Sequence, residues 1–232
     1  MINVKKKLVL FDIDGTLVTR CLIHETSFSI AIKKVFGIDV NITEIPAAGR
    51  TDKWIVIELL KRKGLQIERI LPKIKKVYKE MSNYFQEKIK NDESFERISN
   101  VEILLNNLKI RGHVLGLLTG NVERIAKLKL KKVGLLKYFE DGGFGDISEK
   151  RSDLVEIAMK NIEHKLKIKF DKKDVFIIGD TPLDIECGKF SGVKTIAVST
   201  GPFSLDELKK YNPNYLFEDF SNTDDIIKAI EK

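Results

Sequence analysis

The segment Leu8-Val9-Leu10-Phe11 is an unbroken apolar run that ends on Asp12-Ile13-Asp14-Gly15. A strand with one wetted face alternates apolar and polar residues; a strand buried on both faces reads as continuous. The first predicted strand therefore covers Lys7 to Asp14 and lies inside a parallel sheet. Comparable runs recur at His113 to Thr119, Asp174 to Asp180 and Lys194 to Ser199, with a shorter one at Tyr215-Leu216-Phe217. Between them stand patterns of helical period: Val101 to Leu108, Val122 to Val133, Ser152 to Leu166, Leu183 to Phe190 and Asp224 to Ile230. Strands that alternate with helices predict an α/β, doubly wound, Rossmann-like core.

One gap breaks the alternation. From Val18 to about Arg97 the apolar spacing is helical only: Ile23 to Phe36 stopping at Gly37, a helix capped by Thr51 or Asp52 and running to Arg62, and Ile70 to Lys90. This predicts an all-helical domain at 17–97, inserted as a cap into a core of 1–16 and 98–232, with Thr16 to Arg20 and Asn91 to Ser99 as hinges.

Composition narrows the function classes. With 232 residues, 43% of them hydrophobic, the chain can bury a sizeable core. Asp12 cuts the N-terminal apolar run too short for a signal peptide, and no stretch reaches the ~20 apolar residues of a membrane span. The expectation is a cytoplasmic protein without a membrane partner. Cys21 and Cys187 stand far apart in unlike contexts and predict no disulfide framework. The net charge of +7 favours anionic ligands. Runs such as Lys127-Leu128-Lys129-Leu130-Lys131-Lys132 read as solvated helix faces, and without a recognition motif nucleic acid is not expected as the partner. His24, His113 and His164 are isolated and read as non-ligands, and Trp54 reads as core.

Ligands of open parallel sheets bind beyond the carboxyl ends of the strands. Those ends carry Asp12 and Asp14, then Thr119-Gly120-Asn121, then Gly179-Asp180-Thr181-Pro182-Leu183-Asp184; Lys150-Arg151 opens a helix after a Gly142-rich connection. Carboxylates that share a small space need a cation, and oxygen donors suit Mg2+. A carboxylate can attack phosphorus and split one hard displacement into two easier ones. Gly15 permits a tight turn with amides directed at phosphate oxygens, followed by Thr16. The Thr119 hydroxyl would bind a phosphate oxygen, with Gly120 and Asn121 beside it. Arg151 or Lys150 would offset the charge on phosphorus.

These four segments, in this order and along essentially the whole chain, resemble the four motifs of the haloacid dehalogenase superfamily. The insertion, with Gly49-Arg50-Thr51-Asp52, is similar to the cap of the phosphoglycolate-phosphatase-like branch. The resemblance implies a Mg2+-dependent phosphatase acting on a small phosphorylated metabolite. It implies Asp12 as nucleophile and metal ligand, and Asp14 as the acid toward the leaving oxygen and then the base, its carbonyl also on the metal. It further implies Thr119 as phosphoryl anchor, Asp180 completing the metal site and Asp184 supporting it. The family's third motif is usually a lysine followed by prolines; here Arg151 is favoured over Lys150, because Arg151-x-x-Leu154 falls at the matching helix start. Arg50 is expected to reach the substrate's distal group, while Thr51 or Asp52 also fits a helix cap. A phosphomutase of the β-phosphoglucomutase type shares these motifs. A non-catalytic binding protein is the rival of another class. Dehalogenation is disfavoured by the acid at position 14.

Overall fold

The computed structural model describes residues 5–232. Its centre is a six-stranded sheet in the order β3-β2-β1-β4-β5-β6. The strands are β1 (Leu8–Phe11), β2 (Val114–Thr119), β3 (Gly142–Phe144), β4 (Val175–Gly179), β5 (Lys194–Val198) and β6 (Tyr215–Phe217). Every neighbouring pair is parallel. The fold is the expected doubly wound, Rossmann-like α/β sheet. β1 lies between β2 and β4, so the strand order reverses beside it, at the place where such sheets open a crevice.

The continuous apolar runs resolve into two faces through the two-residue period of a strand. Val9, Phe11, Leu115, Leu117, Phe176 and Ile178 join one core cluster. Leu8, Leu10, Val114, Leu118, Val175 and Ile177 join the other, under α6 (Arg151–Leu166) and α7 (Pro182–Ser191). The first face is covered by α4 (Val101–Ile110), α5 (Glu123–Lys132) and α9 (Thr223–Glu231).

Two expectations need correction. β1 ends at Phe11 and β4 begins at Val175, so Asp12 and Asp14 lie beyond the strand and Asp174 closes a 3-10 turn. The Gly142-rich connection is itself a strand, β3, paired with β2. Two glycines in three residues give no strand propensity, yet packing requires them. A Cβ on Gly142 would stand 2.6 Å from the Leu117 carbonyl oxygen, and one on Gly143 would stand 2.3 Å from that of Leu154. The short helix α8 (Leu205–Lys209) is also additional to the predicted elements.

Between β1 and β2 lie α1 (Leu22–Phe36), α2 (Asp52–Arg62) and α3 (Ile67–Lys88). Gly37 ends α1 at φ 73°, where a side chain would be strained. The Thr51 hydroxyl caps α2 by accepting from the Trp54 amide. Ile70, Ile74, Val77, Met81 and Phe85 form the buried stripe of α3, and α1 packs against it. The chain enters and leaves this insertion on paired backbone: Thr19 N donates to Glu96 O, and Ile98 N to Leu17 O. No helix among the described residues is long and apolar enough to cross a membrane.

Candidate active site

Asp12 follows β1, Asp180 follows β4, and Asp184 sits in the first turn of α7. One oxygen from each of the three lies within 4.8 Å of the others, and all three residues are buried. α7 starts with a capping box: Thr181 Oγ1 accepts from the Asp184 amide, while Thr181 N donates back to Asp184 Oδ2. The cap thus turns Asp184 inward, and its other oxygen is left for the cluster. A helix-cap role and a site role coexist in one residue.

Arg151, the first residue of α6, supplies the cation. Its Nη2 is 2.9 Å from Asp12 Oδ1 and 2.7 Å from Asp184 Oδ1, and Nη1 donates to the Gly49 carbonyl. Its Nε is buried with no acceptor among the described residues. Lys150, one residue earlier, is exposed at the N-cap position and lies outside the carboxylate cluster. The helix start therefore places Arg151, the cation that the sequence favoured, against the carboxylates and leaves its alternative Lys150 outside.

Three carboxylates with one guanidinium leave excess negative charge in a dry space. Burial, then the neighbouring Asp184 and Asp14, raises Asp12 from 3.8 to about 7 in spite of Arg151. Burial, then Asp12 and Asp184, pushes Asp180 well above the usual carboxylate range. The oxygen donors and their unbalanced charge fit a divalent hard cation.

Asp14 is differently placed. Its side chain turns to α5, where Lys129 Nζ lies 2.6 Å from each carboxylate oxygen, and Asn121 Nδ2 donates to Oδ2 at 2.8 Å. Burial would raise this carboxyl, but Lys129, with His24 and Asn121, takes it below its ordinary value. In this arrangement the Lys129 ammonium favours the ionised form of Asp14. Lys129 is the residue that the sequence reading missed: it is 0% exposed, not on a solvated face. Its signal lay in the period, because Ile125, Ala126, Lys129 and Leu130 share the buried face of α5. His24 was missed too, since it accepts from Lys129 at Nδ1 and meets Asp52 through Nε2.

The remaining candidates divide. Thr119 is buried, and its hydroxyl oxygen accepts from Asn121 N and Nδ2, which orients its own proton elsewhere. Thr16 donates to Asp180 Oδ1. The Gly15 amide is taken by Val18 O and is not itself free for a phosphate oxygen. What position 15 requires is the missing side chain: φ is 78°, and a Cβ would lie 2.3 Å from Asp180 Oδ2. Gly120 lies under the Arg50 carbonyl, 2.1 Å from where its Cβ would be. The Arg50 side chain stacks on Trp54 at 4.5 Å and does not join the carboxylates. With Trp54, Lys150, Arg151 and Phe190 it lines a cleft of about 590 Å³.

A family model described as haloacid dehalogenase-like hydrolase matches residues 9–198. A protein of Caldanaerobacter subterraneus subsp. tengcongensis named "Putative pyrophosphatase PpaX" is 28% identical over 225 residues, covering 97% of this chain and 96% of its own. The Haemophilus influenzae phosphoglycolate phosphatase is 24% identical over 231 residues, covering 94% of this chain and 97% of its own. A solved Clostridium acetobutylicum structure described as a "predicted phosphatase" shares the fold, with a TM-score of 0.71 at 22% identity over 96% of this chain and 99% of that one. The matched span runs from β1 through β5 and holds every residue of the carboxylate cluster, and the chain belongs to the haloacid dehalogenase-like hydrolase family.

Proposed function

We propose that this phosphatase hydrolyses a small phosphorylated metabolite through a phosphorylated Asp12, with Mg2+ as its cofactor. The observation that supports this most is the meeting of Asp12, Asp180, Asp184 and Arg151 at the carboxyl ends of β1 and β4, beside Thr119 at the end of β2. An Asp12 oxygen attacks phosphorus while the bond to the leaving oxygen breaks, and that oxygen takes a proton from Asp14. Water then attacks the phosphorus of the acyl-phosphate, gives a proton to Asp14, and releases inorganic phosphate and free Asp12. The pairing with Lys129 favours ionised Asp14, the form needed in the second half; the first half uses its protonated form.

Arg151 offsets charge on the transferring group through the Nη2 that meets Asp12. The Thr119 proton serves as a second donor. Asp12 and Asp180, with Asp184 supporting, would hold Mg2+, which when bound balances the carboxylates and withdraws charge from the phosphoryl group. The cleft of Arg50 and Lys150 also holds Glu149 and Glu186 and meets the carboxylate cluster only at Arg151. The relatives' names point to a substrate with a further negative charge beyond the reacting phosphoryl group. Pyrophosphate and phosphoglycolate, the compounds in the relatives' names, are both of that kind.

The test is phosphate release from an aryl phosphate, pyrophosphate, phosphoglycolate and sugar phosphates, with and without Mg2+. Turnover that needs Mg2+ and disappears in Asp12→Asn is expected. No turnover on any member, or undiminished turnover in Asp12→Asn, would end the proposal. Interconversion of sugar phosphates faster than phosphate release would show a mutase instead.

A further inference from the structure

Lys129 spends a buried ammonium where packing alone would be served by an apolar residue. It projects from the face of α5 that also carries Ile125, Ala126 and Leu130 into the core. Its three N–H groups have separate destinations: Asp14, Asn121 Oδ1 at 2.6 Å, and His24 Nδ1 at 3.1 Å. The Asp14 side chain keeps 32% of its surface exposed at the mouth of the site, while the Lys129 side chain that holds it is 0% exposed. The ammonium therefore fixes where an accessible carboxylate points.

The third bond crosses a seam. His24 lies on α1, in the helical insertion, whereas Lys129 and Asn121 belong to the sheet side. Because Nδ1 accepts from the ammonium, the ring proton sits on Nε2, where it donates to Asp52 Oδ2 at 3.0 Å. Asp52 is also on the insertion, at the start of α2, and the same oxygen accepts from Val122 N at 2.7 Å, at the start of α5. The Asp52 amide donates to the Gly120 carbonyl at 2.7 Å. A continuous chain of hydrogen bonds thus runs from Asp14 through Lys129 and His24 to Asp52, then back to the sheet beside Thr119. It closes only when the insertion is seated.

We propose that Lys129 is the positioning residue of Asp14, and that His24 makes this positioning depend on the seating of the helical insertion over the sheet. The proposal rests on the reading of Asp14 as the acid–base group. Its consequence is that water reaches a correctly placed base only under a seated insertion, which couples closure to the hydrolytic step.

The experiment compares wild type, Asp14→Asn, Lys129→Met, His24→Leu and the combinations with Asp14→Asn, using Mg2+ and 2,4-dinitrophenyl phosphate. This leaving group departs without a proton, so formation of phosphorylated Asp12 does not need Asp14, while its hydrolysis does. Lys129→Met is expected to keep the burst of dinitrophenol and to slow the later turnover by about 10- to 100-fold, but to change it less than about twofold in the Asp14→Asn background. His24→Leu is expected to slow turnover by about fivefold with the same dependence on Asp14.

Loss of the burst in Lys129→Met, or an equal loss in both backgrounds, would show a merely structural lysine and overturn the proposal. An unchanged rate in His24→Leu would overturn the link to the insertion. If Asp14→Asn itself hydrolyses the intermediate normally, the reading of Asp14 fails instead, which is a distinct outcome. Should Lys129→Met not fold, Lys129→Gln, which keeps one donor, is expected to show the same Asp14-dependent loss; a normal rate would count against the proposal.

Discussion

Asp12 is placed under opposing demands: as the proposed nucleophile it must be ionised, yet its burial resists ionisation. Its folded-state value of about 7 lies above the ordinary 3.8. Between those limits the unfolded chain has lost the proton that the folded chain keeps, so stability without metal falls as pH rises from about 4 to about 7 and then levels. Chelated wild type should therefore lose roughly 5 °C in Tm across that window, and Asp12→Asn should lose much less, as read by thermal melts. The two adjacent cations make a second comparison. Arg151→Met strands Asp12 and Asp184 without their partner and should lower kcat/KM at least about 100-fold with a lower Tm. Lys150→Met should alter kcat less than about twofold, with any effect confined to KM. Equal losses in the two variants would refute the assignment of Arg151 as the phosphate clamp.

At the scale of elements, the site is built from strand ends and helix starts whose packing leaves little room. β3 owes its place to glycine, because only a residue without Cβ brings it against α6. Gly143→Ala should cost about 2 to 4 kcal/mol in denaturant unfolding, since the clash is with a backbone carbonyl that cannot rotate away. The helix patterns were legible because their buried stripes are long. β3 was not, because three residues with two glycines carry no period and no propensity. α5 shows the reverse failure. Its lysine-rich text suggested solvation, although Lys129 occupies the same helical face as Ile125, and composition obscured what the period displayed.

The whole molecule brings the three carboxylates together at a folding cost that a cation would repay. Mg2+ should stabilise the chelated protein by about 2.7 kcal/mol at a hundredfold excess over its Kd. The gain should be larger at about pH 8 than at about pH 5.5, because at lower pH protons compete for Asp12 and Asp180. Thermal melts with and without Mg2+ at both pH values check this. A shift that is absent, or greater in acid, would argue against a metal site on these residues. The apolar cluster that covers one sheet face continues through Phe28, Val56 and Phe85 of the helices between β1 and β2.

The sequence by itself determined the parallel α/β sheet and put forward Asp12, Thr119 and Asp180 as site candidates, because continuous apolar runs specify doubly buried strands and the residues after them occupy one rim. Tertiary structure alone decided that Arg151 faces inward while Lys150 faces solvent, since that depends on where α6 begins relative to β1. It likewise decided that Asp14 turns to Lys129 and that His24 and Asp52 join them. Those contacts link positions 28 to 115 residues apart, and no local period records them.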